Sequence, residues 1–182
     1  MRWTPHVTVA AIIEQDNRFL LVEERINGTT QFNQPAGHWE ANESLAQAVI
    51  REVKEETAYE FSPKNLVGIY QWLHEPSNTT FLRFAFCGEL GARHDMPLDS
   101  GIIAAHWLTY EEIQQKQAQH RSPQVLRCID DYRAGQRYPL SALIGALTIS
   151  SQTVDRGETV FLEIPFDPPK YDDSATPDIR PD

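Results

Sequence analysis

The chain has 182 residues, of which 41% are hydrophobic, and this composition favours one folded domain with its own core and excludes an intrinsically disordered chain. Its net charge of −10 argues against a nucleic-acid duplex as ligand but is compatible with small polyphosphates. No apolar run reaches the length of a membrane span and the start of the chain lacks a secretory signal, so we expect a cytoplasmic protein without membrane contact. Cys87 and Cys128 lie in apolar segments, where we expect buried free thiols.

The first half of the chain predicts strands followed by one helix. Residues 7–13 and 19–23 are apolar segments on either side of a polar turn cluster, and this arrangement predicts a β-hairpin. Residues 30–34 should be extended, because the following Pro35 disfavours a helical residue before it. Asn42 is placed to cap the helix that comes next.

The second half alternates strands and helices. Thr109 and Glu112 have the spacing of a capping box, which predicts a helix start. The other expected elements are strands at 66–73 and 80–89 around the turn Pro76-Ser77-Asn78, a strand at 103–108, and a helix from Ser122-Pro123 to about Ala134, stopped by Gly135. This order alone predicts a fold of mixed α and β.

The last segment of the chain differs in composition. Residues 159–164 could form one strand, but residues 165–182 are rich in proline and aspartate. Such a segment buries too little apolar surface to offset its chain entropy. We therefore expect a domain at 1–146 and a C-terminal extension at 147–182 that ends in an extended tail, docked or free.

The segment 37–59 carries the strongest functional signal because its glutamates crowd one edge of a predicted helix. At about 100° per residue, Glu52 and Glu56 project within about 40° of each other, and Glu55 lies about 60° to the other side of Glu52. The apolar stripe of the helix runs directly into Glu52 and Glu56, whereas Lys54 takes the outward face. The pair should therefore point toward the protein body, where it needs a metal ion or cationic side chains; a solvated acidic face is the alternative.

Arg51 is the cation nearest to these glutamates. It lies eight residues after Glu43, too far for a simple pair one turn apart, but its long side chain can reach back along the helix. It could hold a carboxylate in position as the outer ligands of metal sites do, or it could be an ordinary surface arginine.

The spacing of these residues resembles the signature of the Nudix family. Gly37, five residues, Glu43, seven residues and then the run Arg51-Glu52-Val53-Lys54-Glu55-Glu56 match that signature, whose polar and glycine positions stand at fixed gaps. One position departs from it: Ala58 stands where the family has a glycine that lets the chain leave the helix with positive φ. Further short segments between residues 5 and 145 resemble one bacterial branch of the family.

The resemblance implies a fold, an activity and a metal. The fold is an α/β/α sandwich with a mixed central sheet and one catalytic helix. The activity is Mg²⁺-dependent hydrolysis of phosphoanhydride bonds, with Mn²⁺ as a second candidate ion, and in this branch the substrates are nucleoside di- and triphosphates and thiamine-type diphosphates. Glu52, Glu56 and Glu55 are the implied metal ligands, together with a backbone carbonyl at Ala36 or Gly37.

The roles of individual residues follow from this chemistry. Glu52 and Arg51 belong to the predicted catalytic machinery, in which Glu55 either completes the metal shell or accepts the proton of the attacking water. The family does not fix the general base, and Glu75 and Asp99 are further candidates on loops, although each could be an ordinary solvated acid.

Substrate-binding residues are less clearly marked. Arg83 could reach a terminal phosphate, or it could face outward from its strand. Trp39 and Trp72 could stack on a pyrimidine or purine ring, or could belong to the core. His38 and His74 have no metal-ligand spacing to a partner, so we expect no zinc site. We expect a monomer or a homodimer.

Two alternatives belong to other function classes. A non-catalytic Nudix ligand sensor would typically have lost signature carboxylates, whereas all four are present here. A structural interaction protein would have no use for carboxylates directed at its core. A hydrolase of a nucleotide sugar or of another nucleoside-diphosphate-linked compound is the closest enzymatic alternative.

Overall fold

The computed structural model describes residues 3–26 and 28–143, together with the strands at 149–153 and 159–163. The chain divides into two compact units, Met1–Leu143 and Ile144–Asp182. The predicted boundary between residues 146 and 147 falls outside the described residues and stays a prediction, as does the predicted tail at 165–182.

The first unit is a mixed α and β structure. Its strands are, in chain order, β1 (His6–Ile12), β2 (Glu14–Gln15), β3 (Arg18–Ile26), β4 (Thr29–Asn33), β5 (Ala36–His38), β6 (Tyr59–His74), β7 (Thr79–Arg93), β8 (Ile102–Thr109) and β9 (Tyr138–Pro139). Its helices are α1 (Leu45–Thr57), α2 (Tyr110–Gln115) and α3 (Gln124–Arg133).

These strands form two sheets. The larger sheet has the order β5-β1-β7-β6-β9, and it is mixed because β1 and β7 run parallel while the other neighbours are antiparallel. In the second sheet β3 is central and pairs with β2, β4 and β8. The predicted strands at 30–34, 66–73, 80–89 and 103–108 all lie within or next to strands of these sheets.

The predicted hairpin of 7–13 with 19–23 is wrong in its pairing. The turn at Asp16 and Asn17, both with positive φ, joins β3 to the two-residue strand β2, and one further backbone bond, from Leu20 N to Ile13 O, extends this pairing. β1 instead enters the larger sheet between β5 and β7. The turn forms where its residues predict it, but the partners of β1 lie far along the chain, and the turn residues carry no information about them.

β6 and β7 form one long antiparallel ribbon that extends well beyond the predicted segments. Register shifts occur at three places along β6, one of them between Pro63 and Asn65. A bulge tolerates proline within a strand, which explains how a turn-like stretch is accommodated here. The ribbon turns at a short 3₁₀ helix, Glu75–Ser77, followed by Asn78 in the left-handed conformation, in agreement with the predicted turn.

The start of α1 differs from the prediction, and its end keeps the conformation of the family's glycine. Ser44, and not Asn42, is the N-cap: its hydroxyl accepts from Gln47 N at 3.1 Å, while Gln47 Oε1 accepts from Ser44 N at 2.7 Å. Asn42 lies two residues earlier with φ of 69°. At the other end Ala58 adopts φ of 61° and is fully buried, so the chain leaves the helix through the left-handed conformation although the residue is not glycine.

α1 and α3 pack on opposite faces of the larger sheet, which confirms the predicted α/β/α sandwich with a mixed sheet. The face toward α1 forms one core cluster with Val9, Val49, Val53 and Phe86 among its members. The face toward α3 forms a second core cluster that includes Ala85, Cys87, Val125, Cys128 and Ile129. Both cysteines are buried and free, as expected.

The predicted helix starts after β8 are confirmed. Thr109 Oγ1 accepts from Glu112 N and Glu112 Oε2 accepts from Thr109 N, which is the predicted capping box. α3 begins after Pro123 and ends before Gly135, whose φ is 85°. In the second unit, β10 (Ile149–Thr153) pairs antiparallel with β11 (Thr159–Glu163); the strand at 159 was predicted and its partner was not. None of the described helices is long and apolar enough to cross a membrane.

Candidate active site

The glutamates of α1 divide into buried and exposed positions as the helical wheel predicts. Glu52 and Glu56 are only 8% and 7% exposed, whereas Lys54 faces solvent. Val49 and Val53, which continue the same stripe, are fully buried against the sheet. The two carboxylates therefore lie at the edge of the core and not on a solvated face.

Arg51 organises three carboxylates. Its Nε and Nη2 donate to both oxygens of Glu43, at 3.0 and 2.7 Å. Its Nη1 donates to Glu52 Oε1 at 2.6 Å and to Glu55 Oε2 at 3.2 Å, and Nη2 also donates to the carbonyl of His38 at 3.0 Å. The hydrogen bonds from Arg51 lower the pKa of Glu43. A side chain that could have been an ordinary surface arginine thus ties α1 to β5.

Glu56 has a different environment, because the backbone supplies its contact. Ala36 N donates to Glu56 Oε2 at 2.8 Å. Within residues 3–26 and 28–143, no lysine, arginine or histidine forms an ion pair with it. Burial raises the pKa of Glu56 to about 9; the Ala36 N–H opposes this shift, and the charges of Glu52, Glu24 and Asp99 add to it. Burial also raises the pKa of Glu52, against the opposing effect of Arg51.

Gly37 allows the chain to pass directly against Glu52. A Cβ atom added to Gly37 would overlap the carboxylate of Glu52, so no other side chain fits at this position without displacing that group. The position therefore requires glycine for close approach and not for a positive φ.

The register of β5 distinguishes the two predicted backbone ligands. Trp39 N donates to Val7 O and Ala11 N donates to Pro35 O, so hydrogen-bonded pairs recur at every second residue of the two strands. This alternation places Gly37 opposite Val9 in a hydrogen-bonded pair, with its carbonyl directed at β1. Ala36 lies between these pairs, and its N–H and C=O point away from β1, on the side where its N–H meets Glu56.

The carboxylates are not gathered around a common point. Among the residues that the structure describes, no three His, Cys, Asp or Glu side chains are grouped as a metal site. Glu52 turns toward Arg51, and Glu56 turns toward the Ala36 N–H. The fit to a cation rests instead on two features: the close approach of Gly37 to Glu52, and the burial of Glu56 with no cationic side chain of the described residues in contact.

The two loop candidates for the general base lie in different places. Asp99 N donates to Glu55 O at 2.8 Å, and the charge of Asp99 contributes to the raised pKa of both Glu52 and Glu56. Glu75 begins the exposed 3₁₀ turn between β6 and β7 and makes no such contribution. Of the two, the structure brings only Asp99 to the glutamates.

Arg83 is buried and not directed outward from its strand. Its guanidinium donates to Gln34 Oε1 at 3.2 Å and to Asn33 Oδ1 at 3.4 Å, and burial lowers its pKa. Gln34 in turn donates to Val125 O at 2.6 Å, so Arg83 connects β7 with the start of α3. The predicted contact with a terminal phosphate stays a prediction.

The two candidate tryptophans have separate surroundings. Trp39 is 47% exposed and its indole N–H donates to Glu43 O at 2.7 Å, which places it on the loop before α1. Trp72 lies on β6 and stacks on Phe81 with ring centroids 5.7 Å apart. They do not form one stacking site.

Sequence reasoning missed residues whose roles depend on tertiary contacts. Glu24 is largely buried, pairs with Arg121 at 3.5 Å and raises the pKa of Glu56. His38 supplies a carbonyl to Arg51. The place of His38 directly after Ala36 and Gly37 was a usable signal, whereas nothing in the sequence around Glu24 indicated that its charge affects Glu56.

Comparisons with known proteins agree with this geometry. The model of the NUDIX domain matches residues 4–128. The chain is 45% identical over 140 residues to phosphatase NudJ of Escherichia coli K12, a match that covers 76% of this chain and 90% of that protein.

Comparison with solved structures also finds similarity to NUDIX hydrolases. A NUDIX hydrolase from Nitrosomonas europaea is 52% identical, with a TM-score of 0.77 over 79% of this chain and 98% of that one. A UDP-X diphosphatase structure, 17% identical, has a TM-score of 0.62 over 76% of this chain and 68% of its own, which shows a shared fold. The chain therefore belongs to the Nudix hydrolase family, whose members hydrolyse phosphoanhydride bonds.

Proposed function

We propose that the chain is a Mg²⁺-dependent hydrolase of nucleoside di- and triphosphates, with thiamine-type diphosphates as further substrates and Mn²⁺ as an alternative ion. Nudix hydrolases generally use a divalent metal, and phosphatase NudJ is a relative of high identity. The observation that carries the proposal is the buried pair Glu52 and Glu56, of which Glu56 has no cationic partner among the described residues.

In this proposal Glu52, Glu56 and the carbonyl of Ala36 hold the metal. Oxygen atoms are the ligands that Mg²⁺ prefers, and a buried carboxylate whose charge is opposed by burial gains most from a cation. The bound ion would neutralise charge on the phosphoryl oxygens and lower the pKa of a water molecule. Glu55, 44% exposed at its side chain, either joins the metal shell or faces the water.

The reaction is the attack of a water oxygen on a phosphorus atom. A new P–O bond forms while the bond from that phosphorus to the bridging oxygen breaks, and the bridging oxygen keeps the electron pair. The proton of the water passes to a carboxylate, for which Glu55 and Asp99 are the candidates. Asp99 is supported by its proximity to Glu52 and Glu56 and by the hydrogen bond from its N–H to Glu55 O.

Arg51 is proposed as a positioning residue. It holds Glu43, Glu52 and Glu55 through a planar guanidinium, which a lysine ammonium cannot imitate. Such outer contacts fix the direction of a metal ligand and typically matter about 10- to 100-fold in affinity or activity.

The proposal is tested by the hydrolysis of a panel of nucleoside di- and triphosphates, thiamine diphosphate and a nucleotide sugar, followed by chromatography of the products, with Mg²⁺, with Mn²⁺ and with chelator. We expect hydrolysis of the nucleotides with metal and none with chelator. Hydrolysis of the nucleotide sugar alone, or equal hydrolysis with chelator, would contradict the proposal.

A further inference from the structure

The polyphosphate of the proposed substrate needs cationic contacts besides the metal ion. A divalent ion neutralises only part of the charge of a nucleoside di- or triphosphate, and the glutamates around the ion add further negative charge. Arginine suits the remaining phosphoryl oxygens because its planar guanidinium can donate two parallel hydrogen bonds to one phosphate. Such a contact requires an arginine near the glutamates whose N–H donors are not already used.

Two arginines of the candidate site have their donors in use. Arg51 donates to three carboxylates and to the carbonyl of His38. Arg83 is only 7% exposed and donates to the side-chain oxygens of Asn33 and Gln34. Neither arginine can bind a phosphate without giving up contacts that hold secondary structure elements together.

Arg121 differs from both because its guanidinium makes no hydrogen bond within the described residues. Its side chain is 43% exposed, and its ion pair with Glu24 joins Nη1 to Oε2 at 3.5 Å. A charge-assisted hydrogen bond would be shorter, at about 2.7–2.9 Å. The other oxygen of Glu24 is buried and has no hydrogen-bond partner in the part of the chain that the structure describes. The pair is therefore loose, and the donors of Arg121 are available to a ligand.

Glu24 lies between Arg121 and the glutamates of α1. Besides burial, the charge of Glu24 adds to the raised pKa of Glu56. Burial raises the pKa of Glu24 itself, and the charge of Arg121 is the strongest effect against this shift. Burial lowers the pKa of His38, and the charges of His6 and Arg121 add to that shift. Arg121 is thus within electrostatic range of Glu24 and of the end of β5, which both border the candidate active site.

The backbone of Arg121 is fixed on β4, although its side chain is exposed. Arg121 N donates to Phe32 O at 2.9 Å, and the preceding His120 forms a parallel bridge with Phe32. The next residue, Ser122, is 5% exposed, and α3 begins soon after it at Gln124. Only the side chain of Arg121 therefore has to become ordered when a ligand binds, which keeps the entropic cost of binding small.

We propose that Arg121 binds the phosphoryl group of the substrate that lies next to the one held at the glutamates, and that Glu24 positions Arg121 for this contact. The inference rests on the proposed function and deepens it, because it assigns the contact for a second phosphoryl group. Arg121 is then a substrate-binding residue that takes no part in proton transfer. Its contact is the same before and during the reaction, so its loss should act on KM and not on kcat.

The test measures binding without hydrolysis. The probe is α,β-methylene-ADP, in which a carbon atom replaces the bridging oxygen of ADP, and its dissociation constant with Mg²⁺ is measured by calorimetry. KM and kcat are measured for ADP. Arg121→Gln and Arg121→Met remove the charge, and Arg18→Gln is the matched control. Arg18 is 47% exposed and also forms an ion pair, with Glu112 at 3.3 Å, but it lies at the opposite end of β3 from Glu24.

Both Arg121 variants should weaken the binding of α,β-methylene-ADP and raise KM for ADP by about 10-fold, since a hydrogen bond to a charged group is worth at least that much. Their kcat should stay within about 3-fold of the wild-type value. The rise in Tm that Mg²⁺ alone causes should be at least as large as in the wild type, because the removed cation repels the ion. Arg18→Gln should match the wild type.

Binding of α,β-methylene-ADP within about 2-fold of the wild type in a folded Arg121 variant would overturn the inference. Equal weakening in Arg18→Gln would overturn it as well, because the effect would then come from net charge. So would a smaller Mg²⁺ shift in the Arg121 variants, which would make Arg121 a structural part of the metal site.

Two neutral variants keep the test decisive if one of them does not fold: without a folded Arg121→Gln, Arg121→Met decides. Hydrolysis of ADP with the wild-type KM in either folded variant would refute the inference and leave the proposed function intact. Binding of α,β-methylene-ADP needs no hydrolysis, so a protein that hydrolyses no nucleotide but binds this probe through Arg121 would refute the proposed function alone.

Discussion

Replacement of Glu56 by glutamine should stabilise the metal-free protein, and the gain should grow with pH. In the folded chain burial raises the pKa of Glu56 to about 9, compared with 4.5 for an ordinary glutamate. Below pH 4.5 the group is protonated in both the folded and the unfolded chain and makes no difference. At a pH between these two pKa values, the unfolded chain has released the proton of Glu56 and the folded chain still retains it. The free energy of unfolding of the wild type therefore falls as pH rises.

The size of the stability difference between Glu56→Gln and the wild type follows from the pH range between the two pKa values. Each pH unit between about 5 and 9 costs the wild type about 1.4 kcal/mol, so the difference between Glu56→Gln and the wild type should grow by about 3 kcal/mol from pH 5 to pH 7. Glutamine has no such titration, and its Oε1 can still accept from the Ala36 N–H.

The assay is urea unfolding at a series of pH values with chelator present. Glu111→Gln removes an exposed carboxylate of α2 and controls for a general effect of net charge. A stability difference between Glu56→Gln and the wild type that stays constant from pH 5 to pH 8 would refute the assignment of a strongly raised pKa.

Three further outcomes are expected. Mg²⁺ at about 100 times its dissociation constant should raise Tm of the wild type by about 5 °C or more in a thermal melt, and the same shift in a Glu52→Gln, Glu56→Gln double variant would place the ion elsewhere. Arg51→Lys should lower kcat about 10- to 100-fold, because an ammonium cannot hold three carboxylates; wild-type steady-state kinetics would show that Arg51 does not position them. Deletion of residues 165–182 should leave turnover and Tm unchanged because of their proline- and aspartate-rich composition, so a Tm lowered by several degrees would make the tail a structural part of the fold.

The helix α1 and its buried face could be predicted from sequence because the information that specifies them is local. The spacing of Glu52, Glu56 and Lys54 fixes which side chains share a face, and the apolar stripe fixes which face is buried. The predicted helix start differs from the observed one by two residues because Asn42 and Ser44 are both good caps, and only the reciprocal bond with Gln47 decides between them.

Features that depend on strand partners could not be predicted. The pairing of β1 with β7 brings His6 to Phe81, although these residues are far apart in the chain. Burial of Arg83 likewise depends on Gln34, whose place beside α3 follows from tertiary packing. Turn chemistry and residue alternation specify a strand but not its neighbour, so these contacts become visible only in the folded chain.

The central claim is that Glu52 and Glu56 hold the metal that hydrolysis requires. Its most direct test is the rate of phosphate release from a nucleoside diphosphate at saturating Mg²⁺ for Glu52→Gln, Glu56→Gln and the control Glu60→Gln, which alters an exposed glutamate of β6. Loss of a metal ligand should lower turnover of the first two variants by well over 10-fold, while Glu60→Gln keeps the wild-type rate. Turnover above about a tenth of the wild-type value in either Glu52→Gln or Glu56→Gln, with the protein folded, would contradict the claim.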